Sequence, residues 1–108
     1  MKVTGFQTRV YEALRRVPRG KVTTYSELAR AVGCGSSRAV GQALRRNPFA
    51  PVVPCHRVIA SNLAAGGFRG RGEGPAVILK MRRLRDEGIH FVKGRLADPS
   101  LLFRFTRD

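Results

Sequence analysis

Short apolar-patterned segments, each ended by glycine or proline, limit this chain to a fold built from short helices. In the first segment, apolar residues recur at i, i+4, i+7, i+8 and i+11, which is one face of a helix. They are Phe6, Val10, Ala13, Leu14 and Val17, and a turn at 18–20 follows them. A chain of 108 residues can bury a single modest core, so we expect one domain over residues 1–108.

Two more short helices with a glycine-containing turn between them are predicted next. Thr24 and Glu27 have the spacing of a capping box, in which the hydroxyl caps the helix and the carboxylate reaches back. Ser36 or Ser37 can cap the following helix, and the Asn-Pro pair at 47–48 ends it. Two helices joined in this way are typical of a helix-turn-helix.

The second of these helices has two chemically different faces. Its apolar face consists of Ala39, Val40, Ala43 and Leu44. Its opposite face carries Arg38, Gln42 and Arg45. A basic face on the second helix favours an element that reads DNA.

The rest of the chain predicts one more helix and short extended pieces. Pro75 suits the first turn of a final helix, and Gly88 ends it. The apolar stripe of that helix is expected to be Val77, Met81 and Leu84. Extended pieces are predicted at 21–23 and 89–92, and an apolar tail at 101–105 is expected to pack back onto the body. The predicted fold class is mainly α, a winged helix-turn-helix DNA-binding domain with short strands.

A large excess of positive charge narrows the choice of partner. The chain has 21 Lys and Arg against 7 Asp and Glu, a formal net charge of +14. Such an excess favours nucleic acid or an anionic membrane. Because the arginines are spread over every segment and no long apolar stretch or signal sequence is present, we expect an intracellular, DNA-associated protein without membrane contact.

The pair Cys55-His56 is the strongest candidate for chemistry. A thiolate is a good nucleophile, and a neighbouring imidazole can take its proton. Three alternatives remain: a buried inert cysteine, a thiol protease without a recognised motif, and a metal site. The metal site would use Cys34, Cys55, His56 and His90, whose spacing lacks the usual chelating pairs.

Three segments together resemble the DNA-binding, active-site domain of the O6-alkylguanine-DNA alkyltransferases. They are Ser37-Arg38-Ala39-Val40-Gly41-Gln42-Ala43, Arg46-Asn47-Pro48 and Pro54-Cys55-His56-Arg57-Val58-Ile59. The similarity runs from about Phe6 to Gly88, and we expect the family's usual N-terminal domain to be missing.

For catalysis, the resemblance implies roles for five residues. Cys55 matches the acceptor that attacks the alkyl carbon on guanine O6. His56 matches the base that takes the thiol proton through a water, and Glu87 matches the acid that orients His56. Tyr25 matches a tyrosine that donates to the flipped guanine, and Asn47 matches an asparagine that ties the helix-turn-helix to the active-site turn. No cofactor or metal is implied.

The resemblance also implies a set of binding residues. Substrate contacts are expected from Tyr25, Leu44, the carbonyls of Cys55 and Val58, Phe68 and Arg69. DNA contacts are expected from Thr24, Ser37, Arg38, Gln42, Arg45 and Arg46, with Arg9 on a phosphate. Arg38 matches an arginine that enters the base stack after the damaged nucleotide leaves, and a phosphate contact is its alternative.

Two functions follow from this resemblance. The first is stoichiometric transfer of an alkyl group from O6-alkylguanine in double-stranded DNA to Cys55. The second is lesion binding without transfer, as in the similar alkyltransferase-like proteins, which call in nucleotide excision repair proteins. Those relatives usually carry tryptophan where this chain has Cys55. In either case we expect a monomer.

Overall fold

A computed structural model describes residues 3–50, 52–67 and 74–105. Its helices are α1 (Gly5–Leu14), α2 (Tyr25–Ala31), α3 (Ser37–Arg45) and α4 (Pro75–Asp86). Its strands are β1 (Thr23–Thr24), β2 (Val58–Ile59), β3 (Phe91–Val92) and β4 (Arg95–Leu96), and two short 3-10 helices lie at Cys55–Arg57 and Pro99–Leu101. The prediction of a mainly α fold with short strands is confirmed. No helix in these ranges combines the length and apolarity that crossing a membrane requires.

The caps of α2 and α3 follow the sequence with one correction. Ser36 caps α3, since its hydroxyl accepts from the backbone N–H of Ala39 at 3.0 Å. The hydroxyl of Thr24 likewise caps α2 through the N–H of Glu27 at 3.1 Å. The prediction that the Glu27 carboxylate reaches back to the backbone N–H of Thr24 is wrong. That carboxylate instead pairs with the side chain of Arg30 and accepts from the backbone of the C-terminal tail.

The three N-terminal helices pack around one apolar core. The fully buried side chains at its centre are Val10, Leu14, Val17, Leu28, Val40 and Val58. The hydroxyl of Tyr11 on α1 donates to the carbonyl of Ala43 on α3 at 2.6 Å, so the two helices are also joined by a buried hydrogen bond. The predicted apolar faces of the first and third helices are therefore the faces that meet.

Helix α4 buries a different set of residues from the one its pattern predicts. Leu84 is fully buried as expected, but Val77 and Met81 are only half-buried. The side chain one turn before Leu84 that points inward is Lys80, with no exposed surface. The stripe prediction was wrong because it counted apolar residues, whereas the ammonium of Lys80 finds backbone carbonyls inside the fold.

The short strands join distant parts of the chain. β1 pairs in parallel with β2, with Thr23 opposite Val58. β3 and β4 form an antiparallel hairpin whose turn residues, Lys93 and Gly94, both have positive φ. The extended piece predicted at 89–92 therefore begins only at Phe91, and its partner β4 was not predicted. The apolar tail does pack back, since the N–H of Phe103 donates to the carbonyl of Val22.

The Tyr11 hydrogen bond predicts a measurable contribution to stability. Tyr11→Phe should lower the free energy of unfolding by about 1 kcal/mol, because it removes one buried hydrogen bond between α1 and α3. Tyr25→Phe is the matched control, since no protein hydrogen bond to the Tyr25 hydroxyl occurs among the described residues. Urea denaturation of both variants measures the difference. Equal stability of the two variants would contradict the assigned hydrogen bond.

Candidate functional site

A 3-10 turn at Cys55–Arg57 presents the thiol. Pro54 precedes it, and the N–H of Cys55 donates to the carbonyl of Val53 at 2.8 Å. The N–H of Val58 in turn donates to the carbonyl of Cys55. Cys55 itself is buried, with 9% of its surface exposed, and it packs at the edge of the N-terminal core cluster. This geometry fixes the backbone on both sides of the sulfur.

Asn47 connects the end of α3 to this turn. Its side-chain N–H donates to the carbonyl of Val53 at 3.0 Å, and its side-chain oxygen accepts from the N–H of Phe49 at 2.8 Å. The carbonyl of Val53 is also the acceptor for Cys55. One amide group therefore holds the segment between the helix-turn-helix and the thiol.

His56 is buried and hydrogen-bonded to Glu87. The two side chains meet at 2.7 Å between Nε2 and Oε2. An ionised carboxylate only accepts, so the hydrogen lies on Nε2 and leaves the lone pair on Nδ1. Within the described residues, Nδ1 has no protein hydrogen-bond partner. Burial lowers the pKa of His56 below its ordinary value, and the attraction of Glu87 offsets only part of this, so the imidazole is neutral at pH 7.

Arg57 holds the carboxylate of Glu87 from the other side. Its Nε and Nη2 donate to the two carboxylate oxygens at 2.8 and 3.0 Å, and its Nη1 donates to the carbonyl of Val17 at 2.9 Å. Burial acts to raise the pKa of Glu87, but the hydrogen bonds from Arg57 and His56 together outweigh it and hold that pKa below its ordinary value. Sequence reasoning counted Arg57 only as a neighbour that favours a reactive thiol, and it did not predict the contact of Arg57 with Glu87.

Tyr25 lies near the thiol. It is the first residue of α2 and is half-buried. Burial raises the pKa of its hydroxyl above the ordinary value, and repulsion from the thiolate form of Cys55 raises it further. A Cβ atom added to Gly66 would lie 3.6 Å from Cε2 of Tyr25, so the loop around Gly66 runs along the tyrosine ring.

The remaining predicted substrate residues have different positions. The side chains of Leu44 and Val58 are buried in the core, 8% and 0% exposed, which leaves the backbone of Val58 as its polar contact. Phe68 and Arg69 lie outside the described residues. Lys80, which sequence reasoning missed, donates to the carbonyl of Val58 at 2.7 Å.

Most of the predicted DNA-contacting side chains are exposed on α3 and at its C-terminal end. Exposed members are Ser37, Arg38, Gln42, Arg45 and Arg46. Thr24 is half-buried and its hydroxyl is used as the α2 cap. Arg9 is exposed on α1, with its guanidinium over the ring of Phe6 at 5.7 Å. A row of arginines on an exposed helix is suited to phosphate and groove contacts.

The metal alternative receives no support from the described part of the chain. There, no group of three or more His, Cys, Asp or Glu side chains is gathered closely enough to hold a metal ion. Cys34 lies in the turn between α2 and α3, where its sulfur accepts from the N–H of Ser36 at 3.4 Å.

Sequence comparison identifies relatives of known name. A profile described as "6-O-methylguanine DNA methyltransferase, DNA binding domain" matches residues 5–89. The chain is 48% identical over 86 residues to a methylated-DNA–protein-cysteine methyltransferase of Methanothermobacter thermautotrophicus, covering 80% of this chain and 46% of that protein. It is 45% identical over 85 residues to the constitutive protein of that name in Bacillus subtilis, covering 77% and 52%. The chain thus spans about half the length of these curated relatives.

Solved structures with the same fold include DNA complexes. S. pombe Atl1, in complex with damaged DNA containing O6-carboxymethylguanine, superposes with a TM-score of 0.81 at 33% identity, covering 96% of this chain and 99% of Atl1. Mycobacterium tuberculosis OGT in complex with DNA superposes with a TM-score of 0.69 at 39% identity, covering 80% and 51%. With a matching profile over residues 5–89 and these relatives, the chain belongs to the 6-O-methylguanine DNA methyltransferase family, whose DNA-binding domain it contains.

Proposed function

We propose that this protein repairs double-stranded DNA by transferring an alkyl group from guanine O6 to the sulfur of Cys55. The observation that carries the proposal is the ordered series of Cys55, His56 and Glu87. A nucleophile is adjacent to a neutral base, and a carboxylate held by Arg57 orients that base. A weak nucleophile is activated by such an arrangement, in which a base lies next to the nucleophile and a third group orients the base.

The transfer is a single displacement. The sulfur forms a bond to the alkyl carbon as the bond from that carbon to O6 breaks, and the electron pair stays with the base. His56 takes the thiol proton through a bridging water at Nδ1, which is free of other described protein partners. The leaving guanine gains one proton in return, so the products are S-alkylcysteine and unmodified guanine. Because the sulfur is consumed, each chain acts once.

Recognition of the base involves the groups around the thiol. The hydroxyl of Tyr25 is protonated at neutral pH, since burial raises its pKa, and it donates to the flipped guanine as negative charge develops there. The carbonyls of Cys55 and Val58 accept from the exocyclic amine. Each already accepts one protein hydrogen bond and has a second lone pair available.

Engagement of DNA uses the exposed face of α3. Arg45 and Arg46 neutralise phosphates, while Arg38 fills the gap in the base stack left by the flipped nucleotide. Unstacking a base costs a few kcal/mol, and an inserted side chain offsets part of this. The net charge of +14 supplies the general attraction to duplex DNA.

A second candidate function is lesion binding without transfer. It is favoured by the likeness to S. pombe Atl1, because that protein matches this chain over nearly its whole length. In this function the same pocket holds O6-alkylguanine and presents it to nucleotide excision repair proteins. The presence of Cys55 beside His56 favours the transfer function.

The fate of Cys55 separates the two functions. Incubation with a duplex containing O6-methylguanine should add one methyl group to the chain, and peptide mapping by mass spectrometry should locate it on Cys55. Cys55→Ala should abolish the addition, whereas Cys34→Ala, the matched control, should retain it. Lesion binding with an unchanged protein mass would support the second function.

Arg38 is predicted to take part in flipping the damaged nucleotide and not only to contact the DNA phosphates. Arg38→Ala should slow methyl transfer about tenfold more than it weakens binding to undamaged duplex, because the gap in the stack is left unfilled. Arg45→Ala on the same exposed helix should reduce both quantities to a similar extent. Single-turnover transfer rates and binding isotherms at one salt concentration give the comparison. Parallel losses in both variants would show that Arg38 is a phosphate contact.

Glu87 is predicted to set both the orientation and the pKa of His56. Glu87→Gln should lower the single-turnover transfer rate at least about tenfold, because His56 loses the negative charge that stabilises its protonated form and strengthens the orienting hydrogen bond. Since Glu87 raises the pKa of His56, the acid limb of the rate–pH profile should also move to lower pH. Asp86→Asn removes the same charge from an exposed neighbour and should change neither quantity. A Glu87 variant with an unmoved acid limb would contradict this role.

A further inference from the structure

Lys80 is the most unusual charged residue of the fold. Its side chain has no exposed surface, in a protein whose other described lysines, Lys21 and Lys93, reach the surface. Burying an ammonium is costly unless its N–H groups are paired. Burial lowers the pKa of Lys80 to about 8, and attraction to the thiolate form of Cys55, the titratable group that acts on it among the described residues, offsets part of this.

Three backbone carbonyls satisfy this ammonium. Nζ donates to Val58 at 2.7 Å, to Ala65 at 2.5 Å and to Gly67 at 3.0 Å. A protonated lysine has three N–H donors, so donors and acceptors match in number. The acceptors lie on two segments, because Val58 follows the Cys55 turn while Ala65 and Gly67 belong to the loop that precedes α4.

The loop held by Lys80 is the one that borders Tyr25. Gly66 lies between the two loop acceptors and has φ of +74°, and a Cβ added there would be in van der Waals contact with Cε2 of Tyr25, at 3.6 Å. The carbonyl of Ala64 also accepts from the N–H of Ala60 at 2.9 Å, which closes the loop onto the end of β2. Lys80 thus joins the segment that follows the Cys55 turn to the loop that lies against the Tyr25 ring.

We propose that Lys80 is a positioning residue of the guanine site, which holds the Val58 carbonyl and the loop at 64–67 at the separation that a flipped O6-alkylguanine requires. The inference rests on the proposed function, because it takes the region between these two segments as the place where the flipped base binds. Lys80 does not touch the reacting atoms in this role. It acts through the carbonyl of Val58 and through the loop against Tyr25.

The test measures base recognition separately from methyl transfer. Cys55→Ala serves as the parent, so that no transfer disturbs binding, and dissociation constants are measured for an O6-methylguanine duplex and a matched guanine duplex. Lys80→Met should reduce the preference for the damaged duplex about tenfold, because the three carbonyls lose their common donor. Lys21→Met is the matched control, since its Nζ also donates to a backbone carbonyl, that of Ser100, but lies exposed. It removes the same charge and should leave the preference unchanged.

Folding is followed by circular dichroism in every variant. If Lys80→Met does not fold, Lys80→Gln retains two N–H donors and should show a smaller loss of preference. The inference would be overturned if a folded Lys80 variant kept a preference for the damaged duplex within about twofold of that of the parent. It would also be overturned if both variants failed to fold, or if the parent showed no preference for the damaged duplex. Absence of methyl transfer by the unsubstituted chain, with lesion preference intact, would contradict only the transfer reaction.

Discussion

The carboxylate of Glu87 is the group on which the arrangement around the thiol depends. It accepts two hydrogen bonds from Arg57 and one from His56, and Arg57 also donates to the carbonyl of Val17. The chain after α1, the Cys55 turn and the end of α4 are thereby joined at one point. Removing one partner from a buried charged network leaves the others unpaired, which is far more costly than any exposed pair on this arginine-rich surface.

A short path links the exposed basic helix α3 to the thiol. The last turn of α3 leads to Asn47, whose amide holds the carbonyl of Val53, and that carbonyl fixes the backbone of Cys55. The exposed arginines and the nucleophile are therefore parts of one packed unit. On the proposed function, a base that leaves the duplex beside α3 enters a pocket whose position relative to the helix is already set, so little has to be ordered at the moment of transfer.

Positive charge has two different physical uses in this molecule. Most of it is exposed, where it attracts polyanions over a distance that salt shortens. Among the described residues, the Lys80 side chain is fully buried at three carbonyls, and the Arg57 side chain is largely buried at a carboxylate. Within the fold, these two groups act as fixed donors whose geometry matters more than their long-range field. Both contact the segment around Cys55 or its partners. The basic groups that order the site are therefore different from the exposed basic groups that attract polyanions.

The amino-acid sequence by itself determined the helical segments, the cap at Thr24, a cap at Ser36 or Ser37, the two faces of α3 and the Cys-His pair, because these depend on residues a few positions apart. The role of Glu87 was inferred from the resemblance to a family, because its contact with His56 joins residues 31 positions apart. Only the tertiary structure decided the bidentate role of Arg57, the parallel pairing of β1 with β2 and the inward side of α4. Helix α4 is rotated so that Lys80 is buried in place of Val77 and Met81. This rotation depends on carbonyls that lie 13 to 22 residues before Lys80 in the sequence. Periodicity counts apolar side chains, and it has no means of registering a backbone acceptor that only the folded chain brings within reach.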